Sequence, residues 1–244
     1  MTGDSVEQPT DPDDVSVLCT IAARGGSTGV PRKNVRRVAG QPLLSHTIED
    51  AKAWDRCTDL VVSTDDDEIA AVGEEWGATV PFTRPDPLAT DEAAKLPVIQ
   101  HAHREMVDHT GREYDYVVDL DATAPLRDVT DVENCFREVA TTDAKNAYTV
   151  TEADKNPYFN MVELDDDGYA HLSKRTESDV VRRQDTPDVY AMNASVYVWE
   201  ADALREADSV HTDRTRISEM PPERSVDIDR PVDLAFVEFL LENE

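Results

Sequence analysis

The apolar positions of this 244-residue chain fall into two alternating rhythms. Residues 15–23, VSVLCTIAA, form an unbroken apolar and β-branched run, the pattern of a strand buried on both faces. Residues 59–66 (DLVVSTDD), 78–82 (ATVPF), 115–122 (DYVVDLDA), 146–152 (NAYTVTE) and 194–200 (ASVYVWE) predict further strands. Between them, apolar residues return at helical spacing. In 41–54, Leu43, Leu44, Thr47, Ile48 and Ala51 share one face, with Pro42 near the start. Residues 67–77 predict a helix closed by Gly77, and 95–109, 129–140 and 231–244 predict three more. Strands alternating with helices predict βαβ units, and so an α/β, doubly wound, mostly parallel sheet with helices on both faces. Residues 153–190 break the rhythm. There YFNMVELDDDGYAHLSKR reads as an antiparallel hairpin turning at Asp166-Asp167-Gly168. This excursion has few residues with which to build a core. Tyr158, Phe159, Met161, Val162 and Leu164 would be exposed on a monomer, so it is expected to pack on a second subunit.

Charge changes the picture next. The chain carries 52 acidic and 24 basic residues, a net charge of −28, and six of the basic residues are lysine. Acid spread along the whole length with little lysine points to a halophile, whose salt-rich cytoplasm shortens the Debye length to about 3 Å at 1 M. A basic protein partner is the alternative, but the acids are dispersed rather than blocked. The same excess argues against nucleic-acid binding. No apolar run approaches 18 residues, so no membrane span is expected. Residues 1–14, MTGDSVEQPTDPDD, lack the basic and apolar regions of a secretory leader and read as a disordered acidic tail. A cytoplasmic protein follows, with one domain at 15–244 in which 153–190 is the dimerisation excursion. Cys19, Cys57 and Cys135 are odd in number and widely spaced, which favours reduced thiols over a zinc site or disulfides. His101 and His103, two apart on a helix, do not share a face, and a zinc site there is not expected.

The candidate chemistry lies in ARGGSTGVPRKN, residues 23–34, directly after the first strand. In an open α/β sheet this loop lies beyond the carboxyl ends of the strands, where ligands bind. Glycines let the backbone approach a phosphate with its N–H groups turned inward. Arg24 and Lys33 add positive charge in an acidic chain. The spacing matches neither G-x-x-x-x-G-K-[ST] nor G-x-G-x-x-G, which argues against a P-loop and a conventional dinucleotide site. A surface loop with incidental charges is the plain alternative. A second candidate is SVDIDRP, residues 225–231. If it is a strand, Asp227 and Asp229 project on one face and repel unless a cation or a proton lies between them. Mg²⁺ suits such a pair, although D-x-D arises easily among so many acids.

Taken in order along the chain, ARGGSTGVPRKN, VVSTDDDEIA, RPDPLATDEA, LDATAPLR, RRQDTP, MNASVYV and SVDIDRPVDL resemble the sugar-activating cytidylyltransferases, the CMP-acylneuraminate synthetase family. The likeness runs from residue 16 over nearly the whole chain. It implies the doubly wound nucleotidyltransferase fold, usually dimeric. It also implies transfer of CMP from CTP to a nine-carbon α-keto acid sugar with release of pyrophosphate. Ala23, Arg24, Gly25, Gly26, Ser27, Lys33 and Asn34 would form the CTP loop, with Arg24, Ser27 and Lys33 at the triphosphate, Asn34 near the ribose, and Arg84 reaching the cytosine. Arg24, Lys33 and Asp229 would be catalytic, the two cations offsetting charge on the leaving pyrophosphate and Asp229 helping to deprotonate the sugar hydroxyl. Asp227 and Asp229 would hold Mg²⁺. Asp121, Arg183 and Asn193 would face the sugar, Arg183 meeting its carboxylate.

Two positions depart from the family. Ala194 follows Asn193 where a glycine is usual. Asp121-Ala122 stands where sialate enzymes show Gln-Pro. The second departure, with NPYFNMVE, resembles the branch that activates legionaminic acid. Two other readings stay open: a GT-A-like glycosyltransferase, which also uses a D-x-D but only a nucleotide sugar, and a non-catalytic nucleotide sensor.

Overall fold

The structure, a computed structural model, describes residues 15–26, 29–175 and 182–243, without the side chain of Arg183. The acidic stretch 1–14 expected to be a tail, and Ser27 of the expected CTP loop, lie outside the described residues.

In chain order the strands are β1 (Val17–Ala22), β2 (Arg37–Val38), β3 (Gln41–Pro42), β4 (Asp59–Ser63), β5 (Tyr116–Leu120), β6 (Asn146–Glu152), β7 (Val162–Leu164), β8 (Ala170–Leu172), β9 (Tyr190–Glu200) and β10 (Thr215–Glu219). The helices are α1 (Leu43–Ala53), α2 (Asp67–Glu75), α3 (Lys95–Thr110), α4 (Val129–Ala140), α5 (Ala201–Glu206) and α6 (Pro231–Asn243). Six strands form the main sheet in the order β10-β6-β9-β5-β1-β4. Three of its pairings are parallel: β1 with β4, β1 with β5, and β10 with β6. The long β9 runs antiparallel between β5 and β6. The sheet is thus mostly parallel and covered by helices on both faces.

Each face has its own core. Leu44, Ile48, Ile69, Val132 and Phe136 from α1, α2 and α4 bury one side of β1, β5 and β9. Leu96, Ile99, Met106 and Leu204 from α3 and α5 bury the other with Tyr148, Tyr197 and Trp199. A smaller cluster, Val30, Val38, Leu43, Leu126, Ile228, Leu234 and Val237, seats α6 against the loop after β1.

Local chemistry fixes the helix ends. Asp66 caps α2, accepting from the amides of Glu68 and Ile69. Asp128 and Asp131 close a capping box on α4. Gly111, at φ 69°, ends α3 in the left-handed conformation that glycine adopts without strain.

Three sequence expectations are corrected. Residues 78–82 are not a strand: Thr79 makes a single bridge to Val61, and Pro81 has no N–H with which to extend a ladder. Residues 225–231 are irregular chain running into α6, not a strand. The strand expected at 194–200 begins earlier, at Tyr190, and the edge strand β10 and short α5 were not anticipated. The hairpin forms as β7 and β8, with Gly168 at φ 86° in its turn.

Candidate active site

The loop after β1 is braced by carboxylates. The Gly25 amide donates to Asp65 Oδ1 at 3.0 Å, and a Cβ on Gly25 would lie 2.6 Å from Asp66 Oδ2. A Cβ on Gly29 would fall on the backbone carbonyl of Asp229, whereas one on Gly26 would meet nothing within 4 Å. Arg32 sits at φ 57° with its guanidinium held by Asp66 and Glu68, so its charge serves the loop. Ala23 is buried beneath it, its amide donating to Ser63 O. Asn34 is also buried, and its amide donates to the Arg24 carbonyl at 3.0 Å.

Three cations of the expected site converge. Arg24 reaches Asp91 at 2.5 Å. Lys33 Nζ donates to the Ile228 carbonyl at 2.6 Å and stands 3.4 Å from Asp229 Oδ1. Arg84 is buried, with Nε and Nη2 free of hydrogen-bond partners and Asp65 at 3.7 Å. Burial works against its charge, Asp65 opposes that, and Arg24 adds repulsion, leaving its pKa lowered. A buried guanidinium with open donors is prepared for an acceptor from outside.

These groups line a cleft of about 310 Å³ at the carboxyl ends of β1 and β5, together with Lys95, Asp121, Thr123, Asp227 and Asp229. Although 225–230 is not a strand, Ile228 is fully buried and its amide donates to Thr123 O, so the flanking Asp227 and Asp229 both line the cleft. Arg224 holds this segment to α4 through paired bonds to Asp131, 2.9 and 2.8 Å. Thr123 Oγ1 lies 2.7 Å from Asp121 Oδ1 and 2.5 Å from Asp227 Oδ1, and its one hydrogen serves one of them at a time. Burial, then the charge of Asp121, push the Asp227 carboxyl up to about 6, against the Thr123 hydrogen bond.

Lys95, the first residue of α3, was missed by sequence reasoning. Its ammonium bridges Asp121 Oδ2 at 2.7 Å and Asp119 Oδ2 at 3.1 Å. Burial opposes its charge, but the two carboxylates outweigh burial and raise its pKa. Asp121, for its part, is held well below the usual carboxylate range: Lys95 and Thr123 overcome its burial. The available signal was a lysine at a helix N-terminus, where the dipole disfavours a cation.

Asn193 behaves otherwise. It is buried, its Oδ1 accepts from Thr149 Oγ1 at 2.7 Å and from the Ser195 amide, and its Nδ2 donates to Ser225 Oγ at 2.9 Å. Its polar atoms tie β9 to β6 and to the acidic segment. Ala194 next to it takes φ 56°, the conformation that glycine would adopt freely.

A family model described as a cytidylyltransferase matches residues 18–241. The chain belongs to the cytidylyltransferase family. This cytidylyltransferase is therefore a nucleotidyltransferase enzyme. It is 39% identical over 225 residues to the CMP-N,N'-diacetyllegionaminic acid synthase of Campylobacter jejuni, covering 92% of this chain and 94% of the relative. It is 31% identical to a pseudaminic acid cytidylyltransferase of the same species, covering 91% and 95%. Among solved structures, CMP:2-keto-3-deoxy-manno-octonic acid synthetase complexed with CTP superposes with a TM-score of 0.68, covering 93% of this chain and 99% of that one. At 17% identity that likeness shows the fold alone. Among the described residues, no helix of the cytidylyltransferase is long and apolar enough to cross a membrane.

Proposed function

We propose that the protein transfers CMP from CTP to a nine-carbon α-keto acid sugar of the legionaminic or sialic type. The observation that carries this reading is one cleft lined by Arg24, Lys33 and Arg84 together with Asp227 and Asp229. Arg84 suits the acceptor edge of a cytosine. Arg24 and Lys33 suit a triphosphate, which would draw Arg24 from Asp91. The anomeric oxygen of the sugar attacks the α-phosphorus, the bond from that phosphorus to the bridging oxygen breaks, and pyrophosphate departs. Arg24 and Lys33 offset the charge that builds on the leaving group. The hydroxyl proton passes to Asp229.

Mg²⁺ fits the donor set. Asp227 and Asp229 offer only oxygen, and they line one cleft with Asp121, a crowding of carboxylates that a cation would relieve. Among the described residues, no three His, Cys, Asp or Glu side chains group to hold a metal, so phosphate oxygens would complete the shell. When bound, the ion would add positive charge beside the reacting phosphates. The legionaminic branch is favoured by the higher identity to the legionaminic acid relative and by Asp121 at the floor of the cleft. The exposed hairpin supports a homodimer, and a supply of CTP supports a cytoplasmic site of action.

Turnover of CTP with legionaminic, pseudaminic, sialic and 3-deoxy-octulosonic acids, read by mass spectrometry, tests the reading. The expected product is the CMP-sugar, with legionaminic acid preferred and activity abolished by excess EDTA. Full activity in EDTA would remove the metal. Equal rates with CTP, UTP and ATP would remove the cytosine assignment to Arg84.

A further inference from the structure

Lys95 occupies a position that helix electrostatics alone would not select. It opens α3, after Ala94, which supplies no side-chain cap. Three groups hold its ammonium: Asp121, Asp119 and the face of Tyr197, whose ring centroid is 4.9 Å away. Thr20 Oγ1 braces the other oxygen of Asp119 at 2.7 Å. Lys95 lines the cleft as Lys33 does, but its ammonium is held by two carboxylates, whereas Lys33 meets the Ile228 carbonyl and the single carboxylate Asp229.

The consequence falls on Asp121. Its Oδ1 accepts from the Thr123 amide at 2.9 Å and lies beside the Thr123 hydroxyl, while its Oδ2 accepts from Lys95. Oδ2 retains accepting capacity on a side chain that lines the cleft and is 20% exposed. An ionised carboxylate accepts and cannot donate. Among the groups of an acidic sugar, its partner is therefore an O–H or N–H. Phosphates and the sugar's own carboxylate present acceptors, which it repels.

We propose that Lys95 is a positioning residue for acceptor selection, fixing Asp121 as an acceptor for a hydroxyl or acylamino N–H of the sugar acid. This rests on the reading above, in which an acidic sugar is the second substrate. CTP also carries donors, its cytosine amino group and its ribose hydroxyls, so both substrates must be read separately.

Steady-state kinetics of the wild type, Lys95→Met, Lys95→Arg, Asp121→Asn and the Lys95→Met/Asp121→Asn double variant test the proposal. Losing a hydrogen bond to a charged partner is expected to raise KM for the sugar acid about tenfold or more in Lys95→Met, with KM for CTP within about twofold. Lys95→Arg should restore most of the loss. Asp121→Asn should weaken the same constant, and the double variant should be no worse than the poorer single one, because the two residues act as a unit. The proposal fails if Lys95→Met raises KM for CTP instead, if it lowers the melting temperature with both KM values unchanged, or if the two effects add. Should Lys95→Met not fold, an Asp121→Asn enzyme with the wild-type sugar KM overturns the proposal by itself. A wild type that turns over no sugar acid defeats the underlying reading as well, whereas an active wild type with unaltered variants defeats this proposal alone.

Discussion

Gly26 and Gly29 lie three positions apart in one loop and meet opposite surroundings. A methyl group at Gly29 has only the Asp229 backbone to displace, while one at Gly26 enters open space. Gly29→Ala is therefore expected to cost roughly 1–3 kcal/mol of stability and at least tenfold in turnover, and Gly26→Ala neither, as melting curves and pyrophosphate release would show. Lys33→Ala should lower turnover by about 10² or more, since one preorganised cation at developing charge is worth ~3 kcal/mol. A loss under about threefold would mean that the loop binds something else. Ala194 at φ 56° carries strain that glycine relieves. Allowing for the freedom glycine adds to the unfolded chain, Ala194→Gly should raise the melting temperature by about 1–2 °C. At this scale the meeting of Arg24, Lys33, Asp227 and Asp229 in one cleft was readable, because each stands in a distinctive string. The place of Lys95 was not readable, since its two carboxylate partners lie 24 and 26 positions away. Asn193 shows the converse: it sits in a recognisable string, yet its hydrogen bonds bind strand to strand.

Helix α3 carries two buried histidines on different neighbours, His101 against Phe82 and His103 against Tyr114. Burial lowers the pKa of both, so the folded state keeps them neutral where the unfolded chain takes up protons. That stability is present above the unfolded value, about 6.5, and is lost as pH falls through and below it. The melting temperature should thus drop between pH 7 and pH 5.5, and His103→Gln should make the drop shallower. Nearer pH 4, protonation of surface carboxylates relieves repulsion and acts in the opposite sense. The Arg224–Asp131 clamp gives a second test. Arg224→Ala frees the acidic segment from α4 and should raise the half-saturating Mg²⁺ concentration several-fold while circular dichroism stays unchanged. Helix α4, with its helically spaced apolar residues, and β6, rich in β-branched and aromatic residues, were readable to the residue. The direction of β9 was not, because an antiparallel strand buried on both faces has the same apolar content as a parallel one. Nor was β10, an edge strand whose Arg216 and Ser218 dilute its pattern.

Across the whole molecule, a net charge of −28 opposes both compaction and association, and a dimer doubles it. The hairpin nevertheless presents Phe159, Met161, Val162, Leu164, Tyr169 and Leu172 to solvent, with Leu164 70% and Tyr169 69% exposed. Apolar attraction at that face and charge repulsion over the rest act in opposite directions, and salt weakens only the second. We expect a homodimer in molar KCl whose dissociation constant rises at least tenfold when salt falls to about 0.1 M. Sedimentation and turnover followed across a KCl series decide this, and a monomer that stays fully active at every salt concentration would refute it. Composition made the charge readable at once. The apolar face was readable too at Phe159, Met161, Val162 and Leu164, whereas Tyr158, expected at the surface, is half-buried with Lys174 over its ring, and Tyr169 and Leu172 were not anticipated.

The Lys33 ammonium meets the Ile228 carbonyl across a separation of 195 residues. A ribosome delivers Lys33 well before Ile228. For most of that interval the glycine loop is outside the ribosome with its carboxylate braces, Asp65 and Asp66, but without the acidic segment that completes the cleft. A chain cut before residue 225 lacks Asp227 and Asp229 and cannot present them to a triphosphate. Loss of residues 225–231 is thereby expected to yield inert protein rather than a leaky hydrolase that wastes CTP, as a pyrophosphate-release assay would show.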